Sequence, residues 1–509
     1  MNRRGLAVLV LGVWLGAVGW LVRRQYFRPE SQLLAASALN VPPGATFYSV
    51  SLNGEQIGFA SNTIDTVPDG IDVRDILEIY VPVLGSVQRI HAQTKATLSR
   101  TLSLKAFEAA IQGDATRFVA TGQVIEDSLL AIEIETESGR DSLRIPLSRP
   151  IVLPAYLPMR LTFGPGLQVG DSHTITIYDP LLFQERLIEI AVTGDSTFIL
   201  PDSAVFDSTA LRWRPISWDT LHAWRLEQRS GNLETVTWVD DLGRTVSSRS
   251  PIGLEISRSV YELAYENFRL SERDPSATQT DIISQTAIAS NVSLVPDEVS
   301  QLKIVIEGVS LEGFDLEGGR QRLHGDTLII SREESADLDA DRLLPNLSRA
   351  LHRFVQPEPL IQSDDTRIEA LARQIVGRRR NARRAAERIN RWVHDELSKQ
   401  VTVGVPSAVQ VLESRRGDCN EHTVLFVALA RAAGLPARTA AGLVYLDGNF
   451  YYHAWPEVYL RGWVAFDPTF GQTPADAAHI RFTIGGLARQ VELIRLIGRV
   501  SLNVLEVRS

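Results

Sequence analysis

A single cysteine, Cys419, is present among 509 residues. Disulfides within the chain and any cysteine-rich zinc or iron–sulfur site are thereby ruled out. A lone cysteine is either a small buried hydrophobe or a nucleophile, and its neighbours bear on the choice. They read Gly417-Asp418-Cys419-Asn420-Glu421-His422, then an apolar run over 424–430, then Gly434-Leu435-Pro436. Asp418 and Glu421 have the three-residue spacing of a capping box, so Asp418 is the expected N-cap and Cys419 the first helical residue. Gly434 before Leu435-Pro436 closes that helix. Sulfur at such a position lies over unpaired backbone N–H groups and the positive end of the helix dipole, which favour a thiolate. Asp418 and Glu421 act in the opposite sense, because nearby negative charge raises a thiol pKa. A reactive thiol here needs a cationic partner.

Of nine histidines, His453 has the clearest context. Residues 437–446, 450–460 and 463–469 read as a three-stranded antiparallel meander, turned at Asp447-Gly448-Asn449 and at Arg461-Gly462. His453 falls on the second strand and Asp467 on the third. With a two-residue loop at 461–462, Asp467 would pair opposite Pro456 and face away from His453. A three-residue loop, or a bulge near Pro456, makes the two diagonal neighbours on one face, and we predict that irregularity. Singly, each residue has a plainer account: a structural cysteine, a packed strand histidine, an aspartate in a turn before proline. What joins them is the order of cysteine at a helix start, histidine on one strand and aspartate on the next. His422, one turn after Cys419, is a rival base. Trp455 shares a strand face with His453, as a channel wall or as core.

Together Gly417-Asp418-Cys419-Asn420-Glu421-His422, Ala432-Ala433-Gly434-Leu435-Pro436-Ala437-Arg438, His453-Ala454-Trp455-Pro456-Glu457-Val458, Gly462-Trp463 and Phe466-Asp467-Pro468-Thr469 resemble the transglutaminase-like superfamily, across residues 361–482. The resemblance implies a papain-like α+β core with a Cys-His-Asp triad, of the bacterial membrane-anchored type. It makes Cys419 the nucleophile, His453 the general base and acid, and Asp467 the group that orients the imidazole. A thiolate–imidazolium pair would keep the sulfur nucleophilic near neutral pH. The Cys419 N–H would be one oxyanion donor, with Gln400, Gln410 or a backbone amide as the second. The activity implied is amide or peptide cleavage through an acyl-cysteine intermediate, on a peptide or protein substrate. A protein-glutamine transamidase with an amine acceptor uses the same triad. A non-catalytic envelope scaffold or binding protein is the alternative from another class. Neither cofactor nor metal is expected.

Stepping outward along the chain, residues 44–270 alternate apolar and polar over short runs. Turn pairs such as Asn53-Gly54 and Asp69-Gly70 separate them, so a large antiparallel β-rich domain is expected; only 101–110 is ambiguous with helix. Residues 280–360 form a strand-rich connection. Two amphipathic helices follow, 365–376 closed by Gly377 and 381–399, leading into the core at 361–482 and an extension at 483–509. The class expected for the whole chain is α+β. Residues 5–22 are an uncharged, nearly all-apolar run between Arg3-Arg4 and Arg23-Arg24, just long enough to span a bilayer. An anchor over 1–28 fits better than a cleaved signal, because arginines rather than small residues follow. It implies a single-pass membrane protein with an extracytoplasmic, periplasmic catalytic part, though similar arginine counts on both sides leave the orientation open. The net charge of −9 argues against a dedicated nucleic-acid binder. Arg378–Arg384 reads as a solvated helix–helix turn in so acidic a chain. Asp337, Asp339 and Asp341 mimic a calcium loop, but Arg342 and Ser348 stand where glycine and glutamate are required.

Overall fold

The computed structural model describes residues 41–509 other than 84–85, 114–116, 137–138, 148–149, 181–182, 231–232, 252, 272–286, 335–337, 339–343, 346–347, 378–380 and 401–406. Strands dominate it. One antiparallel sheet of fourteen strands runs from β1 (Gly44–Leu52) to β14 (Leu254–Ser259). Its two ends in sequence pair with each other at the centre, and meanders run outward to the edges β8 (Gly139–Pro146) and β9 (Ser172–Asp179). The inner face curls around a segment holding the short helix Leu157–Phe163, whose Leu157, Met159 and Leu161 are buried in a core fed by both halves of the sheet. The ambiguous 101–110 segment belongs to a strand, Leu104–Gln112.

The expected α+β class is therefore corrected. Among the described residues, strands make up 52% and helices 21%, because the alternating runs of the first half pair into one continuous sheet while long helices are confined to the segment around the cysteine. The anchor helix expected over 1–28 lies outside the described residues. Among the described residues no helix is long and apolar enough to cross a membrane.

Four helices gather around the cysteine: α1 (Thr366–Val376), α2 (Ala382–Glu396), α3 (Ala408–Ser414) and α4 (Cys419–Ala432). Asp365 caps α1 through the Arg367 N–H, and Gly377 closes it with φ 67°. Asn381 caps α2 through the Arg384 N–H. In α2, Ala382, Ala385, Ala386, Ile389 and Val393 are buried, three or four residues apart, as one apolar stripe. Nearly every residue of α4 after its first turn is buried, so the other helices and the sheet close around it.

The sheet beside α4 comprises β21 (Ala437–Leu446), β22 (Asn449–Tyr459), β23 (Trp463–Ala465), β24 (His479–Ile484) and the two-residue strand β15 (Ile288–Ala289). Asp447 (φ 46°) and Gly448 (φ 91°) turn β21 into β22 with Leu446 opposite Asn449, the left-handed two-residue hairpin that Asp-Gly favours. β24 pairs with the far side of β21 through a register shift at Ala441/Gly442. A Cβ at Gly442 would lie 2.0 Å from the Ile480 carbonyl oxygen, so only glycine admits β24 this closely. A second sheet, β16 (Gln301–Glu307), β17 (Gln321–His324), β18 (Thr327–Ser331) and β25 (Ser501–Arg508), packs on the same core, with the C-terminal strand pairing to β16.

A buried ion cluster pins these parts together. Glu457 on β22 accepts from Arg438 Nε at 2.8 Å and from Arg481 Nη1 at 3.0 Å. Arg481, on β24, also donates to the carbonyls of Asp315, Glu317 and Gly318. Side chains of Arg481 and Glu457 are each 2% exposed. Such a cluster holds register rather than adding much net stability, but removing one partner strands a buried charge. We predict that Arg481→Ala lowers unfolding free energy by about 3–5 kcal/mol in urea titrations followed by tryptophan fluorescence. The Glu457→Ala/Arg481→Ala double variant should lose less than the sum of the two single changes.

Candidate active site

Cys419 opens α4. The Asp418 carboxylate accepts the Asn420 N–H at 2.8 Å, and Glu421 folds back to accept the Asp418 N–H at 3.0 Å. This is the capping box read from the sequence. Cys419 is half-buried, and its sulfur accepts the backbone N–H of Ala454, the residue after His453. Burial, then Asp418, pushes the thiol pKa well up; the Ala454 N–H opposes this, while Glu421 and Asp467 add to it. Apart from the Ala454 N–H, the groups around the sulfur thus act against the thiolate half of the pair expected from the sequence.

His453 reaches Asp467 because the loop between β22 and β23 has three residues. Tyr459 pairs with Trp463, Val458 with Val464 and Glu457 with Ala465. Extending that register sets Asp467 opposite Trp455, on the face His453 shares. Pro456 carries no N–H, yet costs little because β23 ends beside it and Phe466 N–H still reaches its carbonyl at 3.0 Å. His453 Nε2 lies 2.7 Å from Asp467 Oδ2. The tautomer with its proton on Nε2 leaves Nδ1 as the basic nitrogen. The imidazole stacks between Trp455 and Phe470, with ring centroids 6.1 and 5.0 Å away. Trp455 is fully buried among Ala440, Ala465 and Ala475, so it braces the imidazole as core. Phe470 is 40% exposed and marks the open side.

Asp467 is wholly buried and fully used. Oδ1 accepts the N–H groups of Thr469 and Phe470, at 2.7 and 3.0 Å. Oδ2 accepts from His453 and, at 2.9 Å, from Nε2 of His479 on β24. Burial opposes its charge, but His453 and His479 outweigh burial and hold the carboxyl well below the ordinary carboxylate range. His479 is the residue that sequence reasoning missed. Its Nδ1 lies 2.9 Å from Asp476 Oδ1, so both ring nitrogens face carboxylate oxygens and both must carry protons. Asp476 is fixed in turn by the Ala478 N–H and by Gln472 Nε2, each at 2.8 Å. Burial works against the His479 cation, but its bonds to Asp467 and Asp476 prevail and raise its pKa to about 9.

Other candidates are placed elsewhere. His422 is buried, gives Nδ1–H to the Asp418 carbonyl at 2.7 Å, and is held neutral by burial, which lowers its pKa. Gln400 is exposed and spends its backbone N–H on the Gly417 carbonyl, whereas Gln410 is buried in α3. His453, Asp467 and His479 offer donor atoms within 4.8 Å of one another. Two protons already fill that space; a metal would have to displace both and draw the donors to roughly 2.0–2.2 Å.

Two predictions rest on His479. In the full chain with 15N-labelled histidine, the NMR signal lost in His479→Gln should show both ring nitrogens protonated at pH 7. A singly protonated ring would contradict the geometry. Because its folded pKa exceeds the unfolded value, its stabilisation is full below about 6.5 and disappears as pH rises through about 9.

Comparison with known proteins places this geometry. Residues 369–468 match the transglutaminase-like superfamily. An uncharacterised protein of Mycobacterium leprae (strain TN) is 25% identical over 209 residues, covering 36% of this chain and 71% of that protein. A solved structure titled as a candidate cysteine protease, from Cytophaga hutchinsonii, is 18% identical, with a TM-score of 0.27 over 42% of this chain and 79% of that one. Another, a candidate protease from Parabacteroides distasonis, is 11% identical, with a TM-score of 0.21 over 73% and 68%. The family match supports a papain-like thiol enzyme in general. The chain thus carries, at residues 369–468, a domain of the transglutaminase-like superfamily.

Proposed function

We propose that the chain is a cysteine amidase or peptidase that opens an amide bond of a peptide or protein substrate through an acyl-Cys419 intermediate. The observation that carries this reading is the unbroken line from His453 through Asp467 to His479 and Asp476, beside a half-buried thiol at a helix start. A core that needed only packing would not bury two carboxylates and an imidazolium there.

Each group has one task in the cycle. As sulfur attacks the carbonyl carbon, its proton passes to Nδ1 of His453, and the new imidazolium is stabilised by Asp467. Negative charge gathers on the carbonyl oxygen, and the Cys419 N–H at the start of α4 is a donor for it. Collapse breaks the C–N bond, and His453 returns its proton to the departing amine. A thioester remains on Cys419. Water, deprotonated by His453, then attacks the thioester carbon and expels the sulfur. The acid product leaves and the thiol is restored. Water needs no dedicated acceptor site, which favours hydrolysis over transfer to an amine. Phe470, half-exposed over the imidazole, would meet the acyl chain.

Iodoacetamide alkylation of the full chain, read by mass against pH, reports Cys419 alone. It should inflect above the free-thiol value of about 8.5, because burial and Asp418 raise the thiol pKa. An inflection below that value would mean a resting thiolate and a different first step. Turnover of a peptide p-nitroanilide panel should vanish in Cys419→Ala and fall about 10²–10⁴-fold in His453→Ala. Incorporation of a labelled primary amine into a glutamine-containing protein, in place of hydrolysis, would overturn the hydrolase reading.

A further inference from the structure

A cavity of about 590 Å³ lies inside the curl of the fourteen-stranded sheet, remote in sequence from the cysteine site. Its size falls within the range of small-molecule sites. Much of its wall is apolar, including Ile64, Leu157, Met159 and Ile188. Gln228, Thr235, Thr237, Thr245 and Ser248 bring polar groups from one half of the sheet, and one row across the strands of the other half is polar too. Thr46 of β1 pairs with Asn62 of β2 (Glu55–Val67), Asn62 with Asp75 of β3 (Gly70–Val83), and Asp75 with Thr94 of β4 (Ser86–Ser99). The flanking row Ile64, Val73 and Ala96 is apolar again. A carboxylic acid thus stands in the wall of a space that is apolar over much of its surface.

That carboxyl lacks a counter-charge. Asn62 Nδ2 donates to Asp75 Oδ1 at 2.5 Å, and among the described residues no arginine or lysine pairs with it. The arginines lining the cavity are engaged elsewhere. Arg186 pairs with Asp179 at 2.9 Å, Arg229 lies 3.6 and 3.7 Å from Glu227 and Glu234, and Arg244 donates to the Pro42 carbonyl. Tyr48 is the neighbouring titratable group, and Arg258, opposite it on β14, pairs with Asp240 at 2.7 Å. Burial raises the Asp75 pKa to about 6, against the lowering effect of Asn62. At neutral pH the cavity wall therefore carries a desolvated negative charge whose hydrogen-bond partner is a neutral amide.

We propose that this cavity binds a small amphiphile with a protonated amine. The ammonium would sit on the Asp75 carboxylate and the free carbonyl oxygen of Asn62, and its apolar body would lie along Ile64, Leu157 and Met159. The site is independent of acyl transfer at Cys419.

Calorimetric titration of the full chain with N,N-dimethyloctylamine, octanol and octanoate tests this. A tertiary amine cannot accept an acyl group, so Cys419 does not consume the probe. The amine should bind at pH 7.5, and more tightly than octanol, with octanoate weakest. Asp75→Asn, which keeps the shape, should weaken the amine about tenfold or more and leave octanol unchanged. In the unmodified chain, amine binding should fall away as pH drops through about 6. Equal binding of amine and octanol, preference for octanoate, or a pH-independent amine affinity would each overturn the proposal.

Discussion

The transglutaminase-like part of the molecule is organised around one buried carboxylate. Asp467 has no solvent exposure, and burying an ion costs several kcal/mol unless every lone pair finds a donor. Four donors converge on it: two backbone N–H groups of its own turn and two imidazoles from different strands. None can be withdrawn cheaply. The turn, β22 and β24 are thereby obliged to meet at one point, and His453 is held in the tautomer that leaves Nδ1 free. Oδ2 serves both imidazoles at once. A base is needed that can both take a proton and give it back.

Meeting at that point sets demands on the rest of the fold. β24 approaches β21 through a shifted register that Gly442 permits, and Arg481, two residues from His479, is clamped to Glu457, four residues from His453. The ion cluster and the catalytic line are therefore two readings of the same pair of strands. One fixes their separation and the other uses it. Beneath them, α4 is buried along nearly its whole length, so the cysteine cannot drift from Ala454 in the middle of β22 without unpacking a core. The same burial pushes the thiol pKa up, and Asp418, Glu421 and Asp467 add to it, while the Ala454 N–H opposes it.

What could be read from the sequence was local. The capping box at Asp418 and Glu421 spans four residues and the turn at Asp447-Gly448-Asn449 three, and period-two faces demand either a three-residue loop or a bulge near Pro456 once His453 and Asp467 must meet; the structure has the loop, after Tyr459. His479 was not legible. It has no motif around it, and its role comes from a strand two places removed in the sheet and from Asp476 across a turn. The same limit explains the class. Alternation in the first half marks strands, but the pairing of β1 with β14, about two hundred residues apart, is a long-range fact that turns many short runs into one sheet. Trp455 could be wall or core by its strand face, and only its contacts with Ala440, Ala465 and Ala475 decide for core.

The central claim is that Cys419 becomes acylated because His453, held by Asp467, removes its proton during attack. Intact-mass analysis of the full chain, quenched during turnover of p-nitrophenyl acetate, tests it most directly. The account predicts a single acetyl group on Cys419, formed far more slowly in His453→Ala and absent in Cys419→Ala. Acetylation at another residue, or undiminished esterase activity in Cys419→Ala, would contradict it.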